Sequence, residues 1–215
     1  MNLSSKAKEI HSQIAQETTK LGDLRKIAKE IKKDHDLAMQ LWSVGEFYPR
    51  QLAILIMDNK LLSQAVIDQL CKDIQNHDQE ERNQLTDWLM ANQLSRDKKT
   101  VALMESWENS SSAQQRRLFW YYQARLRWMG NTNHSNTEYL LASIEKNLLK
   151  EKPEVQWAMN YTAGQIGKWQ KEYRNRCISI GEKTGLYKDE VVAKNCTPSY
   201  LPDFISIEVA KLQKQ

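Results

Sequence analysis

The chain has 215 residues, with 31 Lys+Arg against 27 Asp+Glu, 40% apolar residues, seven Gly and four Pro. That length and apolar fraction suit one ordinary domain or at most two, and exclude collagen-like, disulfide-stapled and disordered classes. The net charge of +4 is too modest to name an acidic partner by itself. No apolar run approaches the roughly 20 residues needed to cross a bilayer. The segment from Met1 to Gln13 lacks the apolar core of a signal peptide. A cytoplasmic protein with no membrane partner is expected. Cys71, Cys177 and Cys196 are odd in number and unrelated in spacing, which argues against a disulfide frame or a structural zinc.

Apolar residues recur at helical spacing almost everywhere, and no stretch alternates long enough to read as a strand. Leu3, Ala7, Ile10 and Ile14 predict a first helix. After a break at Gly22, Leu24, Ile27, Ala28 and Ile31 predict a second. Leu37, Ala38, Leu41 and Trp42 make a short third, which Gly45 ends before a fourth carrying Pro49 in its first turn, then Leu52, Leu55 and Ile56. A fifth runs from Leu61 to Ile74, and further helices are predicted over 79–94, 97–108, 112–129, 137–150, 153–167, 169–184 and 203–213. Helices of this length joined by short turns bury a continuous core as stacked antiparallel pairs. The pair spacing falls in the roughly 30–40 residue range of HEAT-like repeats. The predicted fold is therefore all-α, a HEAT-like helical-repeat solenoid in one domain over residues 1–215, with a globular helical bundle as the alternative.

Residues 109–137 contain no Asp or Glu, yet Arg116, Arg117, Arg125 and Arg127 are interleaved with Phe119, Trp120, Tyr121, Tyr122 and Trp128. Arg binds phosphate oxygens bidentately and lies flat on aromatic or sugar faces, so such a helix suits a nucleic-acid backbone. Ser110, Ser111 and Ser112 can cap its first amides, which form a second candidate phosphate site. Phe119, Tyr122, Leu126 and Met129 fall on one face and are assigned to the core, leaving Arg117, Trp120 and Arg127 on the other. A solvated Arg face with one aromatic packed on a neighbouring helix accounts for the same pattern.

Asn83 and Asp87 lie one helical turn apart. A carboxylate there can stabilise a developing cation, or serve as an ordinary surface acid or Arg partner. Trp88, about 100° round the helix, is assigned to packing. His11, His35, His77 and His134 are isolated and read as surface or capping residues, and Glu46 with Arg50 reads as an ordinary ion pair. No nucleotide-binding glycine loop or serine-hydrolase elbow occurs. The stretch from Cys196 to Pro202 reads as a stiff structural loop.

Three stretches together resemble the AlkD-type DNA alkylation repair glycosylases, which are built from HEAT-like repeats. They are Leu37-Ala38-Met39-Gln40-Leu41-Trp42 with the run Glu46 to Ala53; Asn83 to Leu94 with Trp107 and Arg117; and Val155 to Tyr161. The resemblance covers the chain from about residue 21 to 185. It implies excision of cationic alkylated purines without base flipping, with a carboxylate stabilising an oxocarbenium-like sugar and two tryptophans contacting the backbone at the lesion. By position Asp87 matches the catalytic aspartate and Arg117 a phosphate-binding arginine; the composition of the Arg-rich helix, not the resemblance, adds Arg116, Trp120 and Arg127 as candidate DNA contacts. The two tryptophan positions fall on Asn83 and Tyr161. Tyr keeps an aromatic face, whereas Asn lacks the cation–π attraction of about 0.5–2 kcal/mol that an indole offers. About 20 residues precede the stretch from Leu21 to Arg25, where family members carry a longer helical element. The resemblance thus implies a divergent member with a shortened N-terminus, a monomer that binds double-stranded DNA and whose glycosylase activity on cationic alkylated purines is weak or lost. It needs no cofactor or metal, since a cationic purine leaves with little protonation. The rival is a catalytically inactive repeat scaffold that binds a protein or another polyanion.

Overall fold

A computed structural model describes residues 3–15, 18–128 and 134–213. Among them there are twelve α-helices, four short 3₁₀ turns and no strand. The helices are α1 (Ser5–Ile14), α2 (Leu21–Ile31), α3 (His35–Ser43), α4 (Phe47–Ile56), α5 (Gln64–Ile74), α6 (Gln79–Asn92) and α7 (Lys98–Glu105), then α8 (Ala113–Trp128), α9 (Thr137–Asn147), α10 (Pro153–Trp169), α11 (Arg174–Thr184) and α12 (Leu201–Leu212). Every predicted helix is present. Its ends differ where the chain tightens into 3₁₀ turns, at Asn59–Leu61, Leu94–Arg96, Leu148–Lys150 and Lys171–Tyr173, a common way to satisfy terminal carbonyls and amides. Gly22 does not break the chain but sits in the first turn of α2, where an amide has no intrahelical partner to lose and open space surrounds the residue.

Side chains set many of the starts. Ser4, Asp34, Ser63, Asp78 and Asp97 each accept a hydrogen bond from a first-turn amide of α1, α3, α5, α6 and α7. Gly45 holds a positive φ of 86° between α3 and α4, a conformation that favours glycine.

Contacts divide the chain, where the sequence shows no linker, into two compact units, residues 1–107 and 108–215. In the first, α4 packs against α2, α3 and α6, burying Leu24, Leu37, Leu41, Trp42, Leu52, Ile56, Leu85 and Leu89. The expected Glu46–Arg50 pair does not hold as drawn. Arg50 turns inward, 5% exposed, with its guanidinium 5.0 Å from the Trp42 ring centre and Nη1 donating to the Asp73 carbonyl at 2.7 Å. Glu46 instead meets His11 at 3.0 Å. An i,i+4 spacing allows contact, but an aromatic face plus a buried carbonyl satisfies a guanidinium better than an exposed carboxylate.

In the second unit α10 is central, packed on α8 along its length and flanked by α9, α11 and α12. Glycines permit the closest approach. A Cβ on Gly181 of α11 would lie 2.6 Å from Pro202 Cδ and 2.7 Å from Leu201 Cβ, so α12 starts directly against that backbone. Cys71 and Cys177 are buried and Cys196 exposed, all three as free thiols.

Candidate functional site

The two halves of the expected site are built differently. In the first unit α6 buries Leu85, Thr86, Leu89 and Met90. Asn83 and Asp87 are half-buried one turn apart, as their spacing predicts. Trp88 is half-buried rather than core: its indole Nε1 donates to the Gln51 carbonyl at 3.3 Å, and the Arg25 guanidinium lies 5.2 Å from its ring centre. The Trp88 ring is thus already occupied by the Arg25 guanidinium, while Asp87 lies on the neighbouring face of α6.

The Arg-rich helix α8 departs most from expectation. Phe119 and Tyr122 are buried as assigned and Leu126 is half-buried, while Met129 lies outside the described residues. The opposite face is not open: Arg117 is 4%, Trp120 2% and Arg127 0% exposed. Trp120 meets Phe119 edge to face at 5.1 Å, and its carbonyl accepts from Thr162 Oγ1 of α10 at 2.7 Å. Arg127 donates to the Gln123 carbonyl (3.0 Å), Asn136 Oδ1 (2.7 Å) and Thr137 Oγ1 (3.2 Å). Burial lowers its pKa to about 10. Arg116 makes a two-point pair with Glu151, 2.8 Å at each contact, and donates to the Ser110 carbonyl at 2.6 Å. The solvent-facing stripe expected of Arg117, Trp120 and Arg127 is therefore a packed interior, because α8 is covered on more than the one face its apolar period marks. Ser112 Oγ accepts from the Gln115 amide at 3.4 Å, so the serine cap is present.

Arg117 has a specific partner. Its Nη1 donates to the Glu154 carbonyl at 2.8 Å, and its guanidinium lies 4.8 Å from the ring centre of Trp157 on α10. One turn later Tyr161 stacks on Trp157, 5.1 Å between centres and 10° between planes, and Tyr121 of α8 packs on both rings. The structure thus brings Arg117 and Tyr161 together through Trp157. Sequence reasoning passed over Trp157 as a site residue, although its i,i+4 spacing to Tyr161 is the signal that marks a side-by-side pair. Burial, then the neighbouring Tyr121 and Glu208, push the Tyr161 phenol up to about 12, so it stays neutral.

Glu208 of α12 closes this region. Burial acts to raise its pKa, but hydrogen bonds from Lys168 (2.8 Å), Lys211 (2.7 Å) and Thr197 (2.9 Å) outweigh that and hold it at about 2. A carboxyl depressed on folding contributes stability that is present above its unfolded pKa and is lost as pH falls from about 4.5 toward 2. Glu208→Gln should lower the melting temperature at pH 7 by several degrees, for a loss of about 2 kcal/mol. Thermal melts of variant and wild type should converge near pH 2–3; an undiminished difference there would show that the Glu208 charge is not the cause.

Among the described residues no group of His, Cys, Asp or Glu is placed to hold a metal ion, and no helix is long and apolar enough to cross a membrane. A comparison with curated proteins finds no match. Among solved structures, the chain is similar to a protein described as one of "a new family of proteins related to the HEAT-like repeat DNA glycosylases with affinity for branched DNA structures", with 18% identity and a TM-score of 0.66 over 98% of this chain and 89% of that one. This likeness establishes the HEAT-like helical-repeat fold. The DNA alkylation repair enzyme family matches residues 12–180, a span that contains Asn83, Asp87, Arg117, Trp157 and Tyr161. The chain belongs to the DNA alkylation repair enzyme family.

Proposed function

We propose that this chain binds DNA and acts weakly on the N-glycosidic bond of cationic alkylated purines, with Asp87 as the stabilising carboxylate. The observation that carries this reading is the family match, which spans every residue of the expected site. The charge distribution supports it: residues 108–215 carry 16 Lys+Arg against 11 Asp+Glu, while residues 1–107 carry 15 against 16. The excess of cations thus resides in the second unit. The solved relative's affinity for branched DNA points the same way.

Burial reassigns the parts. Arg117 acts as a positioning residue that holds Trp157 and through it Tyr161, and Trp120 and Arg127 maintain the packing behind them. Phosphate contacts fall to exposed lysines of the second unit such as Lys150 and Lys152 at the start of α10. Tyr161 supplies the aromatic face at one family tryptophan position; Asn83 leaves the other without one.

A salt titration of duplex binding tests the reading. Affinity should fall steeply with salt, and Lys150→Ala or Lys152→Ala should each reduce the log–log slope by about one phosphate contact. Absence of DNA affinity at low salt would reject it in favour of the inactive scaffold.

A further inference from the structure

The charge of the first unit is nearly balanced, but on α2 the two signs are sorted to opposite flanks. Leu24 is fully buried, and Ile27, Ala28 and Ile31 are half-buried around it. At about 100° per residue, Asp23 and Glu30 fall on one flank of that apolar face, and with Lys26 they line a groove shared with Gln13 and Ile14 of α1. Lys26 lies 3.6 Å from the Asp23 carboxylate. Arg25 and Lys29, one turn apart, fall on the other flank, to which α2 contributes no acid. Both are exposed, and among the described residues neither makes an ion pair.

Arg25 is held in place from outside its own helix. Its guanidinium lies 5.2 Å from the ring centre of Trp88 on α6, and the Trp88 indole is itself anchored, donating Nε1 to the Gln51 carbonyl of α4 at 3.3 Å. A guanidinium laid on an indole uses its flat face there and keeps its N–H edge for another partner. That edge is the donor set a phosphate accepts bidentately, and the stack has already ordered part of a long side chain. Lys29 lies about 6 Å away at Cβ, which lets the two side chains reach consecutive phosphates of one strand. The start of α6 turns such an anion away, because Glu46, Asp78, Glu80 and Glu81 gather around a cleft at that end. A phosphate strand that crosses α6 is therefore steered about two turns further on, to Trp88 and Arg25.

We infer that Arg25 and Lys29 form a phosphate-binding edge on α2, with Arg25 positioned by Trp88, that holds one DNA strand where it crosses α6. The inference rests on the DNA-binding reading and adds a contact in the first unit to the lysines of the second. Arg25→Ala should weaken duplex binding about tenfold at low salt, the loss of a charge-assisted contact, and lower the log–log salt slope by about one. Lys29→Ala should lower the slope likewise with a smaller loss of affinity, since no ring holds its ammonium in place. Arg25→Lys keeps the charge but neither the fork nor the stack, so affinity should fall severalfold at an unchanged slope.

A salt series of duplex binding by fluorescence anisotropy, run on the full chain beside a thermal melt of each variant, tests this. Lys26→Ala is the control: it removes the same charge from the other flank of the same helix and should leave the slope unchanged. Trp88→Leu should lose affinity as Arg25→Lys does, at full slope, and in the Arg25→Ala background it should cost nothing more. If the melt shows Trp88→Leu unfolded, Trp88→Phe takes its place, with a smaller loss in the same pattern. Wild-type affinity and slope in Arg25→Ala would overturn the inference while the DNA-binding reading stands, and so would an equal slope change from Lys26→Ala. A Trp88 variant that weakens binding as much without Arg25 as with it would show that the indole does not act through Arg25, and would overturn the positioning. No duplex binding by the wild type at low salt would overturn the inference and the DNA-binding reading together.

Discussion

Arg127→Ala should destabilise the protein by about 3–5 kcal/mol, the sum expected from truncating a large buried side chain and leaving neutral buried acceptors without a donor. The side chain is fully buried and spans from α8 to the start of α9 through Asn136 and Thr137, and Thr137 in turn donates to Gln170 at the end of α10. Removing it leaves the Gln123 carbonyl and two side-chain oxygens short of a donor and opens a cavity. For a chain of this size, each 1 kcal/mol shifts the melting temperature by roughly 2–4 °C, so a fall of about 10 °C is expected by calorimetry. Arg127→Met fills much of the volume without burying a charge and should recover part of the loss. If Arg127→Ala melts like wild type yet binds DNA poorly, Arg127 faces phosphate after all and the interior assignment is wrong.

That test addresses the main place where sequence and structure part. Helix positions were legible because most helices have an apolar stripe on a 3.6 period and several begin at Ser or Asp caps such as Asp34, Ser63 and Asp78. A helical wheel, however, marks only the faces made of apolar atoms. Arg127 and Arg117 are buried on faces whose partners are oxygens contributed from elsewhere in the chain, Asn136 Oδ1 and the Glu154 carbonyl. No local pattern announces those partners, so a buried polar face reads as a solvated one. Arg50 fails for the same reason, its true partners Trp42 and Asp73 lying outside its own helix.

The α10 cluster was half legible. Tyr161 came from family position, and Trp157 could have come from i,i+4 spacing, but the wall that Phe204 adds depends on Gly164 and on how α12 lies over α10. A small residue in a helix shows that something approaches closely, not what does. By contrast, Asn83 and Asp87 follow directly from helical geometry, since a one-turn spacing fixes a shared face whatever packs behind it.

Asp87→Asn should remove whatever base release the wild type shows, with little change in melting temperature. An oxocarbenium-like sugar is stabilised by a carboxylate's charge, and an amide of the same shape supplies none of it. A loss of about 3 kcal/mol of transition-state stabilisation already slows release more than a hundredfold. Wild-type release from DNA carrying cationic purines should itself be weak, because Asn83 lacks the indole face worth about 0.5–2 kcal/mol to a cation. Asn83→Trp should therefore raise release by roughly tenfold, and Asp87→Asn in that background should abolish the gain. The double variant separates the two roles, since an indole that only tightened DNA binding would raise affinity without making release depend on Asp87. If Asn83→Trp changes nothing while duplex binding is demonstrable, the α6 face does not meet the lesion. Efficient release that survives Asp87→Asn would overturn the site assignment, because no charge at that position would then be reaching the sugar.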